Sequence, residues 1–412
     1  MAQGLNGACS GATAHGEVVF VTPSPAMLQA GAVWVTINNW VHASRRRWGK
    51  ASLLTPEGFL TDGDLRDAAW GDVSDTQYTT RFGELPHVAH TAAKDLRAWW
   101  RMHRFQRSVR RVTFDVPPLF VWQHHDLFQR AGFNIARRYG VPLVLFVDAP
   151  IVWEASSWGV NRPLWGQVLE RLAEAPQLRE ADVVACVTEE VAEAAVARGA
   201  VQDRILVTPC TADLIRQATP RTYLRRELEL EDAVVVGWVG SFRRFHHADM
   251  IVRAVAELQR ADNVALLMVG QGATRDSCVD LVEELGVRRA VFTGAVPHDH
   301  VVDHLAAMDV AVIPSAPDGE FHYSPLKLKE YLAAGKAVVA PATGEMDRLL
   351  HDGEDVLFYA PGDVKDMVRA LERLTEDEPL RRALGQRGRE TYDRLFTMDR
   401  QLGALATALG LP

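Results

Sequence analysis

The sequence predicts an α/β protein in which two doubly wound parallel-sheet domains face each other across a cleft. Short apolar strands alternate with helical stretches almost throughout, which is typical of a parallel sheet covered by helices on both faces. The alternation forms two series joined near 211–228, and 412 residues suffice for two cores. Such sheets bind ligands beyond the carboxyl ends of their strands, so we expect the site in the cleft.

The first series predicts a Rossmann-like N-terminal domain over 17–213, after a flexible tail at 1–16 that lacks the features of a signal peptide. Apolar runs predict strands at 17–23, 50–56, 118–126, 141–150, 181–188 and 204–210. Helical periodicity falls between them at 31–47, 94–111, 127–139, 162–175 and 189–198. The polar stretch 59–90 has no clear period and is expected to form a long loop.

The second series predicts a Rossmann-like C-terminal domain over 214–395, and a last helix at 396–412 is expected to return to the N-terminal domain. Strands are predicted at 233–241, 264–272, 290–296, 309–315, 336–342 and 355–363. Helices are predicted at 248–260, 274–285, 298–307, 324–334 and from 364 onward.

Composition excludes several classes of protein. Hydrophobic content of 48% and charged content of 24% are those of an ordinary globular protein, and a net charge of -8 argues against nucleic acid as a partner. The four cysteines have no metal-binding spacing, which favours a reducing compartment and no zinc. No apolar run approaches the length of a membrane span. We therefore expect a cytoplasmic protein, whose oligomeric state the sequence does not predict.

The segment "SPLKLKEYLAAGKAVVAP" predicts an anion site at the start of a helix. Ser324 is expected to cap the helix, and Pro325 to be its first residue. Free N–H groups, the helix dipole and the charge of Lys327 then favour an anion. Glu330 lies on the same face and suits the two hydroxyls of a ribose. The alternative is an ordinary Lys–Glu pair within the helix.

Three further strand ends of the second domain are expected at the same edge. Gly240 and Ser241 end one strand, and the glycine allows a ligand close to the backbone. Arg243 is expected to bind two phosphate oxygens through its guanidinium group, and His246 to donate a hydrogen bond to the same anion. The alternative is a solvated basic loop. Gly270 in "VGQG" and Val296 in "TGAVPHDHV" mark two more turns, the second suited to a nucleobase edge. The G-x-G-x-x-G spacing of dinucleotide enzymes is missing, which argues against an oxidoreductase.

In the first domain, His124 and His125 end a strand that should face the cleft, and Asp148 ends the next strand. Each is a candidate for contacting sugar or acceptor, and the alternative is a structural histidine. Two patterns suggest metal ligands: Asp62-Gly63-Asp64, and the histidines at 298, 300 and 304. A solvent-exposed turn and surface histidines are favoured over a metal site. We predict that no metal is required.

The helix at 94–111 combines an apolar face with a row of arginines. Helices of this kind bind anionic lipid or an acidic acceptor, and this gives a weak prediction of peripheral membrane contact. A solvated face on a core-packing helix is the favoured alternative.

Together these segments resemble the family 4 glycosyltransferases, retaining enzymes of the two-Rossmann-domain GT-B fold that use nucleotide-activated sugars. The likeness lies in "GSFRRFHH", "LLMVGQG", "VFTGAVPHDHV", "SPLKLKEYLAAGKAVVAP" and "HHDLFQRAGFNIARRYGVPLVLFVDAP". It implies that Glu330 binds ribose, that Arg243 and Lys327 neutralise the leaving diphosphate, and that His125 stands near the reacting sugar. The implied nucleotide-sugar contacts are Gly240, Ser241, His246, Gly270, Val296, Glu320, Ser324, Leu326 and Glu330.

This sequence departs from the family pattern at three points. His322 stands where a first glutamate is usual, with Glu320 the nearest acid, His246 replaces a lysine, and Cys210 follows Pro209 where "PNG" is usual. The resemblance implies a retaining transferase acting on a small soluble acceptor, such as a specialised-metabolite precursor, with UDP or GDP donors undecided and no further cofactor. The loops 24–32 and 57–93 would select the acceptor. The rival functions are a sugar-nucleotide epimerase or hydrolase, a phosphorylase, and a non-catalytic nucleotide-sugar-binding protein.

Overall fold

The computed structural model of the chain describes residues 16–23, 32–56, 58–60, 87–157, 160, 162–221, 223–258, 263–317 and 324–411. Within these ranges the chain forms two α/β domains, each built on a largely parallel sheet, and the predicted fold class is confirmed. Several predictions fall outside the described residues: most of the N-terminal tail, the Asp62–Asp64 motif, most of both acceptor loops, and the residues Glu320 and His322.

The N-terminal sheet has seven strands in the order β3-β2-β1-β4-β5-β6-β7. The strands are β1 Gly16–Val21, β2 Gly49–Thr55, β3 Gly58–Leu60, β4 Phe120–His124, β5 Leu143–Val147, β6 Val183–Cys186 and β7 Ile205–Val207. Neighbours pair in parallel, except for the antiparallel β2–β3 pair at the edge. Every residue of β4 and β5 is buried, because helices cover both faces of the sheet.

The C-terminal sheet has six parallel strands in the order β10-β9-β8-β11-β12-β13. The strands are β8 Val234–Val239, β9 Val264–Val269, β10 Ala290–Gly294, β11 Val310–Val312, β12 Ala337–Pro341 and β13 Leu357–Tyr359. The strand order reverses direction between β8 and β11, so the carboxyl ends of these two strands flank a switch point where ligands of such sheets bind.

Helices connect the strands and cover both sheets. In the first domain they are α1 Ala32–Trp48, α2 His87–Val109, α3 Ala131–Tyr139, α4 Ile151–Ser157, α5 Gly166–Leu169, α6 Ala175–Glu180 and α7 Glu189–Ala197, with a π-helical turn at Glu170–Glu174. After this domain come α8 Asp213–Gln217, α9 Leu224–Glu227, α10 Asp249–Leu258, α11 Arg275–Glu284, α12 His298–Ala307, α13 Leu326–Ala333, α14 Gly344–Leu349, α15 Val364–Glu376, α16 Glu378–Leu395 and α17 Met398–Leu409.

All the predicted strands occur, and all except β2, which has its predicted length of seven residues, are shorter than predicted because the polar or turn residues at their ends leave the ladder. Several short elements were missed. The strand β3 has only three residues, and the helices α4, α8, α9 and α14 have four to seven, which is too few for their periodicity to show. The helix α2 begins seven residues before its predicted start, because Thr91 is buried there and the Ala-rich segment continues the helix.

The chain crosses between the domains twice at one place. The helix α17 packs Met398, Leu402 and Leu405 into the core of the N-terminal domain. At the first crossing, the carboxylate of Asp213 accepts hydrogen bonds from the Tyr392 hydroxyl and from the backbone N–H of Met398. The buried carboxylate of Asp213 therefore joins the two interdomain segments, one at Asp213 and the other before Met398.

The helix α2 buries Met102, Phe105 and Val109 and turns its arginines outward, as its pattern predicts. Trp99 and Trp100 are also exposed, by 42% and 60%. Peripheral membrane contact through this helix stays a prediction. Among the described residues, no helix is both long and apolar enough to cross a membrane.

Candidate functional site

Three glycine turns meet at the carboxyl edge of the C-terminal sheet. The N–H of Gly240 donates to the carbonyl of Val269 at 2.9 Å, and the N–H of Gly270 donates to the carbonyl of Gly294 at 2.8 Å. Gly270 has a φ of +132°, and a Cβ there would lie 1.9 Å from the Gly240 oxygen. The turns after β8, β9 and β10 are therefore in direct contact, and this contact requires glycine at position 270.

Replacing Gly270 by alanine is expected to destabilise the C-terminal domain by more than replacing Gly286 does. Gly286 has a φ of +68°, in the left-handed region that other residues can adopt, and no atom lies within 4 Å of the added Cβ. Gly286→Ala is expected to cost about 1–2 kcal/mol, whereas Gly270→Ala combines a φ outside that region with a clash and is expected to cost about 3 kcal/mol or more. Urea unfolding of both variants measures the difference. Equal losses would show that the turns are not tightly packed.

The side chain of Lys327 lies at this edge beside Gly240 and His246, two other predicted site residues. Its Nζ lies 3.2 Å from Nε2 of His246 and 5.6 Å from the ring centroid of Trp238. A Cβ on Gly240 would stand 2.3 Å from Cε of Lys327, so glycine at that position opens the path of the lysine side chain. Ser241 and Arg243 are exposed beside it. The structure thus groups Gly240, His246 and Lys327 as the sequence predicted.

The imidazole of His246 is neutral and accepts a hydrogen bond from the lysine. Burial and the nearby charge of Lys327 both lower the pKa of His246, which falls to about 3. With Nδ1–H donating to the Ser241 carbonyl, Nε2 is left as the acceptor for the Lys327 ammonium. In this arrangement Nε2 of His246 accepts from Lys327, and the donation of His246 to an anion stays a prediction.

Lys327 itself is an unusually acidic ammonium. Burial lowers its pKa, the carboxylate of Glu330 opposes this effect and the charge of Arg243 adds to it, so that the pKa is lowered to about 8. An anionic ligand stabilises the charged form of a buried ammonium that has few anions around it, because the ligand replaces the hydration lost on burial. This edge of the sheet is therefore suited to a phosphate group.

The start of α13 differs from its prediction. The helix begins at Leu326 with Pro325 at the capping position, so Ser324 is not its N-cap. The Ser324 hydroxyl instead donates to the Glu345 carboxylate and accepts from the Cys210 N–H at 3.1 Å and from Lys329 at 2.7 Å. The side chains of Lys329 and Glu345 are paired and almost fully buried. Ser324 therefore belongs to a structural network that ties α13 to the interdomain link.

Two other predicted donor-side residues lie near this helix. Leu326 is half-buried and packs against the core of the N-terminal domain, while Val296 packs against a core of the C-terminal domain. Both contribute side chains to packing, so any contact they make with a nucleotide would involve their backbones.

Glu330 faces a partner that the sequence did not suggest. Its Oε1 lies 3.0 Å from Nε2 of His298, and the two side chains are only 7% and 16% exposed. The prediction of surface histidines is thus wrong for His298, and also for His304, which is buried and bonded to the carbonyl of His300. The three histidines do not converge. Among the described residues, no group of three or more metal-ligating side chains is found.

The two first-domain histidines have different surroundings. His124 Nε2 lies 2.8 Å from the carboxylate of Asp148, which is 40% exposed. Burial lowers the pKa of His124, but the Asp148 carboxylate more than compensates and raises it. The charge of Asp148 also adds to the burial that raises the pKa of Cys210 to about 12. His124 and Asp148 therefore form a pair whose carboxylate is partly open to solvent.

His125 lies in the core, paired with a buried carboxylate. Its Nε2 lies 2.9 Å from the carboxylate of Glu174, and both side chains are at most 1% exposed. Glu174 also accepts the N–H of Ile151 and is held as an anion: burial opposes its ionisation, yet its hydrogen bond with His125 lowers its pKa. The predicted position of His125 near a reacting sugar stays a prediction. No signal in the sequence marks Glu174, which lies 49 positions from its partner.

The domains also meet at an ion pair. The guanidinium of Arg348 on α14 forks onto the carboxylate of Glu190 on α7, with one N–O distance of 2.7 Å. The Cys210–Ser324 hydrogen bond is a second contact, between the interdomain link and the C-terminal domain.

Residues 233–377 match the family described as "Glycosyl transferases group 1". The matched segment covers 145 of the 412 residues. It contains the glycine turns, His246, His298, Lys327 and Glu330, so the donor-side residues of the resemblance lie inside the matched region. The match supports the resemblance over this segment, and the narrower subgroup of the "SPLKL" motif stays a prediction.

Curated relatives extend the likeness beyond this segment. The D-inositol 3-phosphate glycosyltransferase of Nocardia farcinica is 32% identical over 280 residues, covering 65% of this chain and 61% of that protein. The 2-deoxystreptamine glucosyltransferase of Streptomyces kanamyceticus is 33% identical over 262 residues, covering 60% and 65%. The match therefore spans somewhat less than two thirds of either relative.

A solved structure shows the same two-domain GT-B fold over nearly the whole chain. The Anabaena protein Alr3699/HepE, determined with UDP-glucose, superposes with a TM-score of 0.65 at 17% identity, covering 96% of this chain and all of that one. The segment that matches the family model is thus the C-terminal half of a two-domain fold of this kind.

Proposed function

We propose that this protein is a retaining glycosyltransferase that moves a sugar from a nucleoside diphosphate sugar to a small polyhydroxylated acceptor. The observation that carries the proposal is Lys327, a half-buried ammonium of lowered pKa held at the strand-end edge of the segment that matches the glycosyl transferases group 1 family. It lies at the switch point of the C-terminal sheet, the region where this type of sheet binds ligands.

The donor-side residues suit the three parts of a nucleotide sugar. Lys327 and the exposed Arg243 would neutralise the diphosphate, and the turn at Gly240 lets phosphate oxygens approach the backbone. Glu330 would accept the ribose hydroxyls. A uridine donor is supported by the related fold of the Anabaena protein, which was determined with UDP-glucose. A guanosine donor is the alternative.

Transfer of the sugar builds negative charge on the departing diphosphate. A preorganised ammonium meets that charge as it develops, which lowers the barrier more than it strengthens substrate binding. Retention of configuration requires attack on the face that the diphosphate leaves, with a phosphate oxygen taking the proton of the acceptor. The protein then supplies charge and orientation rather than a covalent nucleophile.

The acceptor side is built around Asp148 and His124. A half-exposed carboxylate accepts hydrogen bonds from hydroxyl or ammonium groups, so it suits a neutral or amine-bearing polyol. The two curated relatives are named for inositol phosphate and for deoxystreptamine, both cyclitols, which supports this acceptor class. We propose a cyclitol-like precursor of a specialised metabolite. Independence from metal and a cytoplasmic location remain predictions.

Donor turnover with and without acceptors tests the proposal. Purified protein is incubated with UDP-glucose, UDP-N-acetylglucosamine or GDP-mannose, alone and with a set of cyclitols, and both nucleotide and sugar products are measured. We expect nucleotide release that depends on an acceptor, together with an α-linked product. Hydrolysis or isomerisation of the donor without acceptor would instead establish the epimerase or hydrolase, and binding without turnover would establish the non-catalytic alternative.

The affinity for nucleoside diphosphate is expected to fall as the pH rises through about 8. The pKa of Lys327 is lowered to about 8, so the lysine is charged below that pH and neutral above it, and only the charged form attracts the diphosphate. Titration calorimetry with UDP between pH 7 and 9.5 measures the slope. The Lys327→Arg variant is the control, since arginine stays charged throughout. An unchanged affinity in the wild type would remove Lys327 from the binding site.

A further inference from the structure

We propose that His298 is a positioning residue that holds Glu330 for the ribose, and that it thereby makes the site prefer ribonucleotides over 2′-deoxyribonucleotides. The inference rests on the proposed function, because Glu330 selects a ribose only if this site binds a nucleotide. His298 follows the turn after β10, and the sequence predicted it to be a surface histidine.

The contact between the two residues is short and shielded. Nε2 of His298 lies 3.0 Å from Oε1 of Glu330, and the carboxylate is only 7% exposed. His298 is the first residue of α12, and Glu330 lies in the middle of α13. Because each residue is fixed on its own helix, the hydrogen bond sets the plane of the carboxylate rather than joining two mobile side chains.

Glu330 still has acceptor positions for hydrogen bonds from the two hydroxyls of a diol. A carboxylate has two oxygens and about four lone-pair positions, of which His298 occupies one on Oε1. The remaining positions suit the 2′ and 3′ hydroxyls of a ribose. A deoxyribose lacks the 2′ hydroxyl and leaves one acceptor unpaired at a buried site, where unpaired groups are costly.

The histidine also separates Glu330 from Lys327. The two side chains lie three residues apart on α13, and the carboxylate of Glu330 partly offsets the burial that lowers the pKa of Lys327. Without a partner on the histidine side, the carboxylate would turn towards the ammonium. Glu330 would then be lost to the ribose and Lys327 would be lost to the diphosphate, so His298 keeps both groups available.

The opposite side of the histidine ring faces the N-terminal domain. Trp34 on α1 lies 6.1 Å from His298 between ring centroids, at an interplanar angle of 56°. A phenylalanine at position 298 retains a flat ring against Trp34 but has no N–H to donate. His298→Phe therefore removes the hydrogen bond with little change in packing, and His298→Gln restores a donor.

The test compares the dissociation constants of UDP and 2′-deoxy-UDP by calorimetry at pH 7.5. The same ribose and deoxyribose pair of another base is used if that base binds more tightly. The wild type is expected to prefer the ribonucleotide roughly tenfold to hundredfold, the value of one hydrogen bond to a charged group. His298→Phe is expected to reduce this preference to below about threefold, chiefly by weakening the binding of UDP. His298→Gln is expected to retain most of the preference. The control His300→Phe changes an exposed histidine two positions away and should keep the full preference.

The outcomes distinguish this inference from the proposed function. If UDP binds but the wild type does not discriminate against the deoxynucleotide, or if His298→Phe discriminates as well as the wild type, the positioning role is wrong and the proposed function stands. If no nucleoside diphosphate binds the wild type, the proposed function fails and this inference fails with it.

Discussion

Lys327→Met is expected to reduce sugar transfer by roughly a hundredfold to a thousandfold, the effect of removing one preorganised group that meets charge in a transition state. Methionine keeps an unbranched chain beside Gly240 and over the Trp238 ring, so the substitution removes the ammonium and little else. The turnover number should fall more than the affinity for donor, because the charge matters most when the diphosphate leaves. Steady-state kinetics with the preferred donor measures both quantities.

Lys365→Met is the matched control for this variant. Lys365 lies exposed near the start of α15 in the same domain, so this change removes one positive charge away from the site. We expect it to leave turnover unchanged. If Lys327→Met retained wild-type turnover, or if both variants lost activity equally, Lys327 would have no specific part in the reaction.

Lys329→Met is expected to destabilise the C-terminal domain by about 3–5 kcal/mol, which is large for a single substitution. The Lys329 side chain is fully buried, and its ammonium contacts the Glu345 carboxylate and the Ser324 hydroxyl. Removing the lysine leaves a buried carboxylate without its counter-charge. The midpoint of urea unfolding, followed by circular dichroism, measures the loss.

Two comparisons make this prediction specific. In the double variant Lys329→Met/Glu345→Met no charge is left buried, so most of the stability should return. Breaking the exposed pair Arg369–Asp366 by Arg369→Met should cost less than about 1 kcal/mol. A double variant no more stable than Lys329→Met alone would show that the loss has a cause other than the unpaired carboxylate.

The fold could be predicted from the sequence because its signals are local. Parallel strands buried on both faces are apolar runs of four to six residues, such as β4, β5 and β9, and turn residues bound them. The same reasoning missed β3, whose three residues are too few for a pattern. The two-domain arrangement followed from the break between the series, since each series is long enough to form its own sheet.

The site could be predicted only in part, because contacts between distant residues decide it. Ser324 has the sequence context of an N-cap, but its hydroxyl is taken by Glu345, 21 residues away. His125 is adjacent to His124, yet His125 pairs with Glu174 in the core while His124 pairs with the half-exposed carboxylate of Asp148. Lys327 lies beside Gly240 and His246 at the strand-end edge where the sequence placed it, and its part in binding an anion stays a prediction.

The most direct test of the account is a crystal structure of the protein grown with UDP. The account predicts that the diphosphate lies at the edge formed by Gly240 and Lys327, with a phosphate oxygen within about 3 Å of the lysine Nζ, which leaves its place on His246. The ribose should lie against Glu330. UDP bound elsewhere in the molecule, with Lys327 still bonded to His246, would contradict the account.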